Sequence, residues 1–304
     1  MPFPIRLHLS VRYRLSSALV FACWFAGCFL PSLTTLADSL EVSPQSITLD
    51  RPESSAQIVV TLEINGTRLD VTRQAHLQIL NPAFAKLDES QLIVPTSDGQ
   101  TQLIVRYQQL EKRIPVNVAR VSHPAPVSFE LEVVPTLTKA RCNSGGCHGK
   151  AEGQAGFKLS LFGFDPQADY DAIVHAARGR RVSLASPANS LLLKKGAAIV
   201  PHGGGLKFDV DSPGYRRVVR WLAEGAPRTV ASEKPPVRLD VYPTDIRLQP
   251  NSTQQLRVDA IDADGNRRCV TAEAEFQSNA PYVADVSNTG LIQATEVPGD
   301  AALL

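Results

Sequence analysis

An internal repeat is the sequence feature that most constrains the fold of this chain. When the sequence is shifted by 199 residues, the segment beginning at Leu40 meets the segment beginning at Leu239, and matching residues recur without a gap. A constant spacing between matching segments indicates one structural module used twice. The chain of 304 residues is long enough for about two domains. The sequence therefore predicts two copies of one module with a different segment between them.

Each copy has the pattern of an antiparallel β domain. Apolar residues alternate in Ile47-Thr48-Leu49, and the hairpin-turn pairs Asn65-Gly66 and Asp264-Gly265 separate apolar runs. Short strands with closely spaced turns predict a β-sandwich. The second copy stops before the counterpart of 113–118, so we expect its last strand to be missing. Because an unpaired sheet edge is a liability, we expect a longer protein or a further domain to supply that strand.

The second copy resembles the bacterial Ig-like group 2 module of surface proteins. The matching stretches are Val241–Leu248, Asp264–Thr271, Ala280–Val286 and Gly290–Ile292. They cover nearly all of 239–304, whereas the first copy departs more, with Leu77–Asn81 in place of Phe276–Ala280. The resemblance implies Ig-like domains that act as spacers or adhesion units and contact a surface protein or a polysaccharide.

The first 37 residues have the pattern of an export signal. Arginines precede an apolar run, and small residues follow it: Arg6, Arg12 and Arg14, then Leu19–Leu30, then Thr35-Leu36-Ala37. The run is shorter than the roughly 20 apolar residues that span a bilayer. We expect cleavage before Asp38 and a mature protein in the periplasm or at the cell surface. A retained anchor and lipidation at Cys28 are the alternatives.

The charge balance excludes one class of function. Lys and Arg number 31 and Asp and Glu number 30, so the formal net charge is +1. A general polyanion binder would be strongly basic, and we therefore expect no nucleic-acid partner.

The segment 128–229 lies outside the repeat and holds a cluster of reactive residues. Cys142, Cys147 and His148 fall within seven residues of an exported chain. In c-type haem attachment, two thiols bond the haem vinyl groups and the adjacent histidine ligates iron. A Cys142–Cys147 disulfide and a zinc site, which needs four ligands, are the other interpretations. Four residues separate the thiols instead of the usual two, and Gly145-Gly146 gives this longer loop its freedom.

Two helical patterns bracket the cysteine loop. Upstream, Phe129, Val133 and Leu137 recur on one helical face. Downstream, Asp211-Ser212-Pro213 is a helix start, and apolar residues continue at helical spacing until Gly225. Two short helices around a reactive loop suit a small haem-binding domain.

The iron would need a second axial ligand. The chain's one methionine is Met1, which leaves with the signal, so a histidine is expected. The candidates are His76, His123, His175 and His202. We expect His202, because proline and three glycines let its loop approach a flat macrocycle, with His175 or an open iron position as alternatives.

Two imidazoles disfavour catalysis at iron, so we expect an electron carrier rather than an enzyme. Haem propionates could pair with Arg178, Arg180 and Arg181.

The middle segment resembles the cytochrome c-like domain of large secreted planctomycete proteins. The matching motifs are Phe129–Leu137, Cys142–Lys150, Gly156–Ser160, Gly179-Arg180-Arg181, Ser190-Leu191-Leu192 and Pro201–Gly205. The resemblance implies one covalent haem on Cys142 and Cys147, with His148 as proximal and His202 as distal ligand. It also implies single-electron transfer with an unidentified redox partner, and it leaves open whether both thiols are bonded.

Together these patterns predict two all-β Ig-like sandwiches, the second incomplete, flanking a mostly α cytochrome c-like domain. The predicted organisation is a signal at 1–37, an Ig-like domain at 38–121, a linker at 122–127, the haem domain at 128–229, a Pro-rich linker at 230–238 and a truncated Ig-like domain at 239–304. A haem-free interaction or adhesion protein with a Cys142–Cys147 disulfide is the alternative function.

Overall fold

β strands form most of the secondary structure, arranged in several small sheets, and helix accounts for 18% of the residues that the structure describes. The computed structural model describes residues 7–11, 38–231 and 234–304. The export-signal prediction lies outside the described residues except for Leu7–Val11, which form the first strand, β1.

The first repeat copy folds into strands that enclose one apolar core. The strands are β2 Ser39–Ser43, β3 Ile47–Leu49, β4 Val59–Ile64, β5 Thr67–Asp70, β6 His76–Ile79, β7 Ala85–Leu87, β8 Ile93–Pro95, β9 Gly99–Tyr107 and β10 Leu110–Val118. They form sheets in the orders β2-β4-β5, β3-β10-β9-β6 and β7-β8. In β10, Ile114, Val116 and Val118 are buried at alternate positions. This two-residue period directs one face of the sheet into the core.

The second copy has a similar set of strands. They are β11 Pro236–Tyr242, β12 Ile246–Leu248, β13 Thr253–Gln255, β14 Arg257–Asp262, β15 Arg267–Cys269, β16 Ala284–Val286, β17 Leu291–Ala294 and β18 Gly299–Leu303. The sheet orders are β11-β14-β15, β13-β17-β16 and β12-β1-β18. Buried residues that include Leu256, Ile292 and Leu303 fill its core.

Strand β1 takes the position that the second copy's own sequence leaves open. In the first copy, β10 runs parallel to β3 and antiparallel to β9, with Val118 opposite both Leu49 and Gly99. In the second copy, β1 runs parallel to β12 and antiparallel to β18, with Val11 opposite both Leu248 and Gly299. The repeat alignment predicted that the second copy would lack its last strand, and Leu7–Val11 occupy that position in the structure.

Equivalent residues of the two copies contact each other. The backbone N–H of Gln255 donates to the Asp70 carboxylate, and the backbone N–H of Gln57 donates to the Cys269 thiol at 3.4 Å. Cys269 thus stands where the first copy has an aspartate and accepts the reciprocal hydrogen bond. Cys269 is half-buried and packs in the contact between the two copies.

The middle segment combines short helices with loops. Its α-helices are α1 Val134–Lys139, α2 Pro166–Tyr170, α3 Leu191–Gly196 and α4 Pro213–Ala223. Single π-helical turns span Phe129–Val133 and Asp171–His175, and 3₁₀ turns span Leu161–Gly163, Ala176–Gly179 and Pro187–Asn189. The core includes Phe129, Val133, Leu137 and Trp221, which are at most 2% exposed. The two predicted helical patterns both lie on helical segments that pack into this core.

The prediction of a mostly α cytochrome c-like domain between the two sandwiches is wrong. The structure has mostly β strands, with four short α-helices in the described residues. The backbone adopts left-handed φ values at Arg141 (58°), Phe162 (53°) and Ala177 (53°). Such residues cannot continue a right-handed helix. The apolar spacing therefore produces short helical segments, such as the continuous run from Phe129 to Lys139 and the 11-residue helix α4.

Helix α4 is tied to both repeat copies by buried ion pairs. The Arg220 guanidinium donates two hydrogen bonds to Glu53 of the first copy, at 2.9 and 2.8 Å. Arg217 donates to Glu273 of the second copy at 2.9 Å and lies 3.6 Å from Glu132. The side chains of Arg217 and Glu53 are each 3% exposed. These contacts hold the three units against one another.

The carboxyl group of Glu273 makes the stability of this junction depend on pH. Burial alone would raise the pKa of Glu273, but the opposing effect of Arg217 and Arg268 is larger. The net result lowers the pKa from its ordinary value of 4.5 to about 2. The stabilisation is complete above the unfolded-state pKa and is lost as pH falls toward the folded value. We expect the wild-type chain to lose about 2–3 kcal/mol more stability than Glu273→Gln between about pH 5 and pH 2 in urea unfolding. The control Glu275→Gln alters an exposed carboxylate, and equal pH dependence in all three proteins would contradict this prediction.

Candidate functional site

The cysteine loop follows directly on α1 and is closed by backbone hydrogen bonds. The N–H of Cys142 donates to the Leu137 carbonyl at 2.9 Å, and the N–H of His148 donates to the Cys142 carbonyl at 3.0 Å. Gly149 ends the loop, where an added Cβ would lie 2.0 Å from the Asn143 carbonyl oxygen. Only glycine allows this approach, and the closed loop brings His148 beside Cys142.

Both cysteines of the loop are free, half-buried thiols in the structure. Burial raises the pKa of Cys142 to about 12, although the nearby Lys207 acts in the opposite direction. This thiol is therefore protonated at neutral pH. Gly146, on the same loop, has no atom within 4 Å of where a Cβ would stand, so the loop borders open space.

The structure brings the rings of His148 and His202 together. Their centres are 6.2 Å apart and their planes differ by 9°. His202 lies in the loop between α3 and α4. In that loop, no atom lies within 4 Å of where a Cβ would stand on Gly203 or Gly205, so both positions border open space. Fifty-three residues separate the two histidines in the chain, so this proximity arises from tertiary packing.

Each ring of this pair is held by the same kind of hydrogen bond. The Nδ1 of His148 lies 2.9 Å from the Phe157 carbonyl oxygen, and the Nδ1 of His202 lies 3.1 Å from the Gly205 carbonyl oxygen. A carbonyl can only accept, so each Nδ1 carries a proton, and in the neutral form of each ring the lone pair is on Nε2. Burial lowers the pKa of His148, and the backbone acceptor only partly opposes this. Neutral imidazoles with backbone-anchored Nδ1–H groups are the usual form of metal-ligating histidines.

The distance between the two ring centres is compatible with a shared metal. An imidazole nitrogen bonds a metal at about 2 Å and the ring centre lies about 1 Å farther back, so two ligands on one metal have centres roughly 6 Å apart. The observed 6.2 Å has this value. Within the residues that the structure describes, no three His, Cys, Asp or Glu side chains form a group able to hold a metal. The thiols therefore do not join the imidazole pair as they would in a closed zinc site.

The other candidate histidines lie elsewhere. The Nδ1 of His175 pairs with Asp171 at 2.9 Å, and its side chain is 63% exposed. His76 is on the exposed face of β6, and His123 is exposed in the linker. Of the four candidates from the sequence, His202 is the one whose ring faces that of His148 at close range.

The predicted propionate partners divide into two groups. Arg178 and Arg180 are exposed. Arg181 is 5% exposed, and its donors are engaged by the backbone carbonyls of Ala172, Ala176 and Gly156. Arg181 therefore holds the local fold. Sequence reasoning assigned no role to Phe157, whose ring centre lies 4.5 Å from that of His148.

The middle unit carries several large apolar side chains that are exposed. The large apolar residues exposed in this unit are Leu161, Phe162, Phe164, Leu184, Ile199, Leu206 and Val210. Phe162 adjoins the cysteine loop, since its N–H donates to the Asn143 carbonyl at 3.1 Å. Leu206, which is 65% exposed, follows the glycines of the His202 loop. Phe162 and Leu206 therefore place exposed apolar surface next to the two loops.

No protein-family model and no curated protein matched the chain. Among the helices in the described ranges, none has the length and apolar character needed to cross a bilayer.

Proposed function

We propose that this chain binds one haem covalently through Cys142 and Cys147, with His148 and His202 as its two axial ligands, and transfers single electrons. The observation that carries the proposal is the pair of nearly parallel imidazoles at 6.2 Å. Each ring has an anchored Nδ1–H and a free Nε2. The resemblance of the sequence motifs to those of secreted planctomycete haem proteins supports the same assignment. This support comes from the motifs alone, because the mostly α fold that the resemblance implied is not observed.

The thiols suit covalent attachment. The S–H group of each cysteine would add across one vinyl group, so that a C–S bond forms and the thiol hydrogen passes to the neighbouring vinyl carbon. No oxidant is consumed, and the cysteines need only be reduced and close to the porphyrin edge. Both are free thiols on the loop that ends in His148. Export, as the first 37 residues predict, would bring the chain to the compartment in which c-type haem proteins are matured. Cleavage before Asp38 would also remove Leu7–Val11 from the second β unit.

The surrounding residues fit a flat apolar group. Exposed side chains such as Phe164, 85% exposed, and Leu206 would be covered by a macrocycle, which stabilises the complex by removing apolar surface from water. When bound, haem supplies a one-electron couple at iron. Because His148 and His202 would both be held by the iron, the site would favour electron transfer over substrate binding at iron. Bis-imidazole ligation also gives a lower potential than ligation by His and Met.

The two β units are proposed to hold the haem unit at the cell surface. Their ion pairs to α4 fix the position of the site relative to both units. Surface proteins or polysaccharides remain proposed partners of these units, together with a redox partner.

A spectrum of the full chain, produced in a host with haem-attachment machinery, tests the proposal. We expect a Soret band and haem that stays on the polypeptide during denaturing electrophoresis. In His202→Ala, haem should stay attached but the low-spin spectrum should be lost, because one axial ligand is gone. The control His175→Ala removes an exposed imidazole paired with Asp171 and should leave the spectrum unchanged. Colourless protein with a Cys142–Cys147 disulfide would instead favour a haem-free interaction protein.

A further inference from the structure

Phe157 and Arg181 form a stack behind the His148 ring. The guanidinium carbon of Arg181 lies 4.5 Å from the centre of the Phe157 ring, and the centre of that ring lies 4.5 Å from the centre of the His148 ring. The Phe157 carbonyl also accepts the Nδ1 proton of His148 at 2.9 Å. Phe157 therefore contacts His148 through both its side chain and its backbone.

Arg181 is a buried cation without a nearby anion. It is 5% exposed, and it donates to the carbonyls of Gly156 at 2.8 Å, Ala172 at 2.9 Å and Ala176 at 3.1 Å. Among the described residues, no carboxylate forms an ion pair with it. The three carbonyls satisfy its hydrogen bonds and hold the guanidinium against Phe157, but they leave its full charge in place.

We propose that Arg181 is a positioning residue that orients His148 through Phe157 and raises the reduction potential of the iron. This inference rests on the proposed haem function. A positive charge disfavours the ferric state, which carries one more positive charge than the ferrous state. A unit charge about 10 Å away, at an effective dielectric constant of about 20, changes such an equilibrium by roughly tenfold. For a one-electron couple, tenfold corresponds to about 59 mV.

Potentiometric titration of the haem-loaded full chain tests the charge effect. In Arg181→Gln, we expect the equilibrium constant for reduction of the ferric to the ferrous protein to fall about tenfold. Arg181→Lys retains the charge and should keep the potential near that of the wild type. The matched control Arg178→Gln removes an exposed charge and should change the constant less than about twofold, because water and salt screen it.

Electron paramagnetic resonance of the ferric protein tests the orientation effect. Phe157→Leu keeps Arg181 and the carbonyl at position 157 but removes the ring between Arg181 and His148, so we expect altered ferric g values. This variant also tests the inference if Arg181→Gln does not fold. An unchanged potential in Arg181→Gln, equally low potentials in the Gln and Lys variants, or unchanged g values in Phe157→Leu would overturn it. Wild-type protein without haem would refute the proposed function itself, so the two failures are distinguishable.

Discussion

Haem that survives denaturing electrophoresis of the wild-type chain should be lost when Cys142 and Cys147 are both replaced by serine. Thioether bonds persist in denaturant, whereas axial ligation by imidazole is reversible and ends when the fold is lost. Haem stain of the denatured double variant should therefore fall to background. The native double variant should still show a bis-imidazole spectrum when haem is added, because His148 and His202 are unchanged.

The third cysteine of the described chain provides the matched control for this experiment. Cys269 lies in β15 and accepts a hydrogen bond from the Gln57 N–H, away from the histidine pair. Cys269→Ser should keep full covalent haem. The single variants Cys142→Ser and Cys147→Ser show whether one or both thiols are bonded. Haem retained after denaturation of the double variant would contradict attachment at this loop.

Replacement of Arg217 by methionine should destabilise the chain by about 1–3 kcal/mol, because two buried carboxylates lose one of their cations and retain only Arg51 and Arg268. The Arg217 side chain is 3% exposed and pairs with Glu132 and Glu273, which are 8% and 19% exposed. Methionine has a similar length and keeps the packing of the aliphatic stem. Urea unfolding of the two proteins at neutral pH measures the difference.

The neighbouring Arg216 separates this effect from a general loss of charge on α4. Arg216 is exposed and its guanidinium bonds the Asp211 carbonyl. Arg216→Met should change the free energy of unfolding by less than about 0.5 kcal/mol, as surface substitutions usually do. A loss below about 1 kcal/mol in Arg217→Met would show that the junction of the three units contributes little to stability.

Local signals in the sequence account for the elements of the fold. Ser212 was expected to start a helix, and its hydroxyl accepts the Tyr215 N–H at 3.2 Å at the start of α4. The turn pair Asn65-Gly66 joins β4 to β5 in the predicted hairpin. These features depend on neighbouring residues, through capping and turn geometry. The error in fold class arose because apolar spacing over a few turns was extended to a whole helical domain.

The sequence by itself determined which residues are proposed to carry the chemistry: two thiols and an adjacent imidazole in one loop, and a histidine in a glycine-rich loop. Only the tertiary structure decided that the rings of His148 and His202 lie 6.2 Å apart, that Arg181 is buried behind Phe157, and that Leu7–Val11 complete the second β unit. Each of these contacts joins segments that are distant or differently oriented in the chain. Their formation depends on packing of the whole core, which the spacing of residues along the chain does not encode locally.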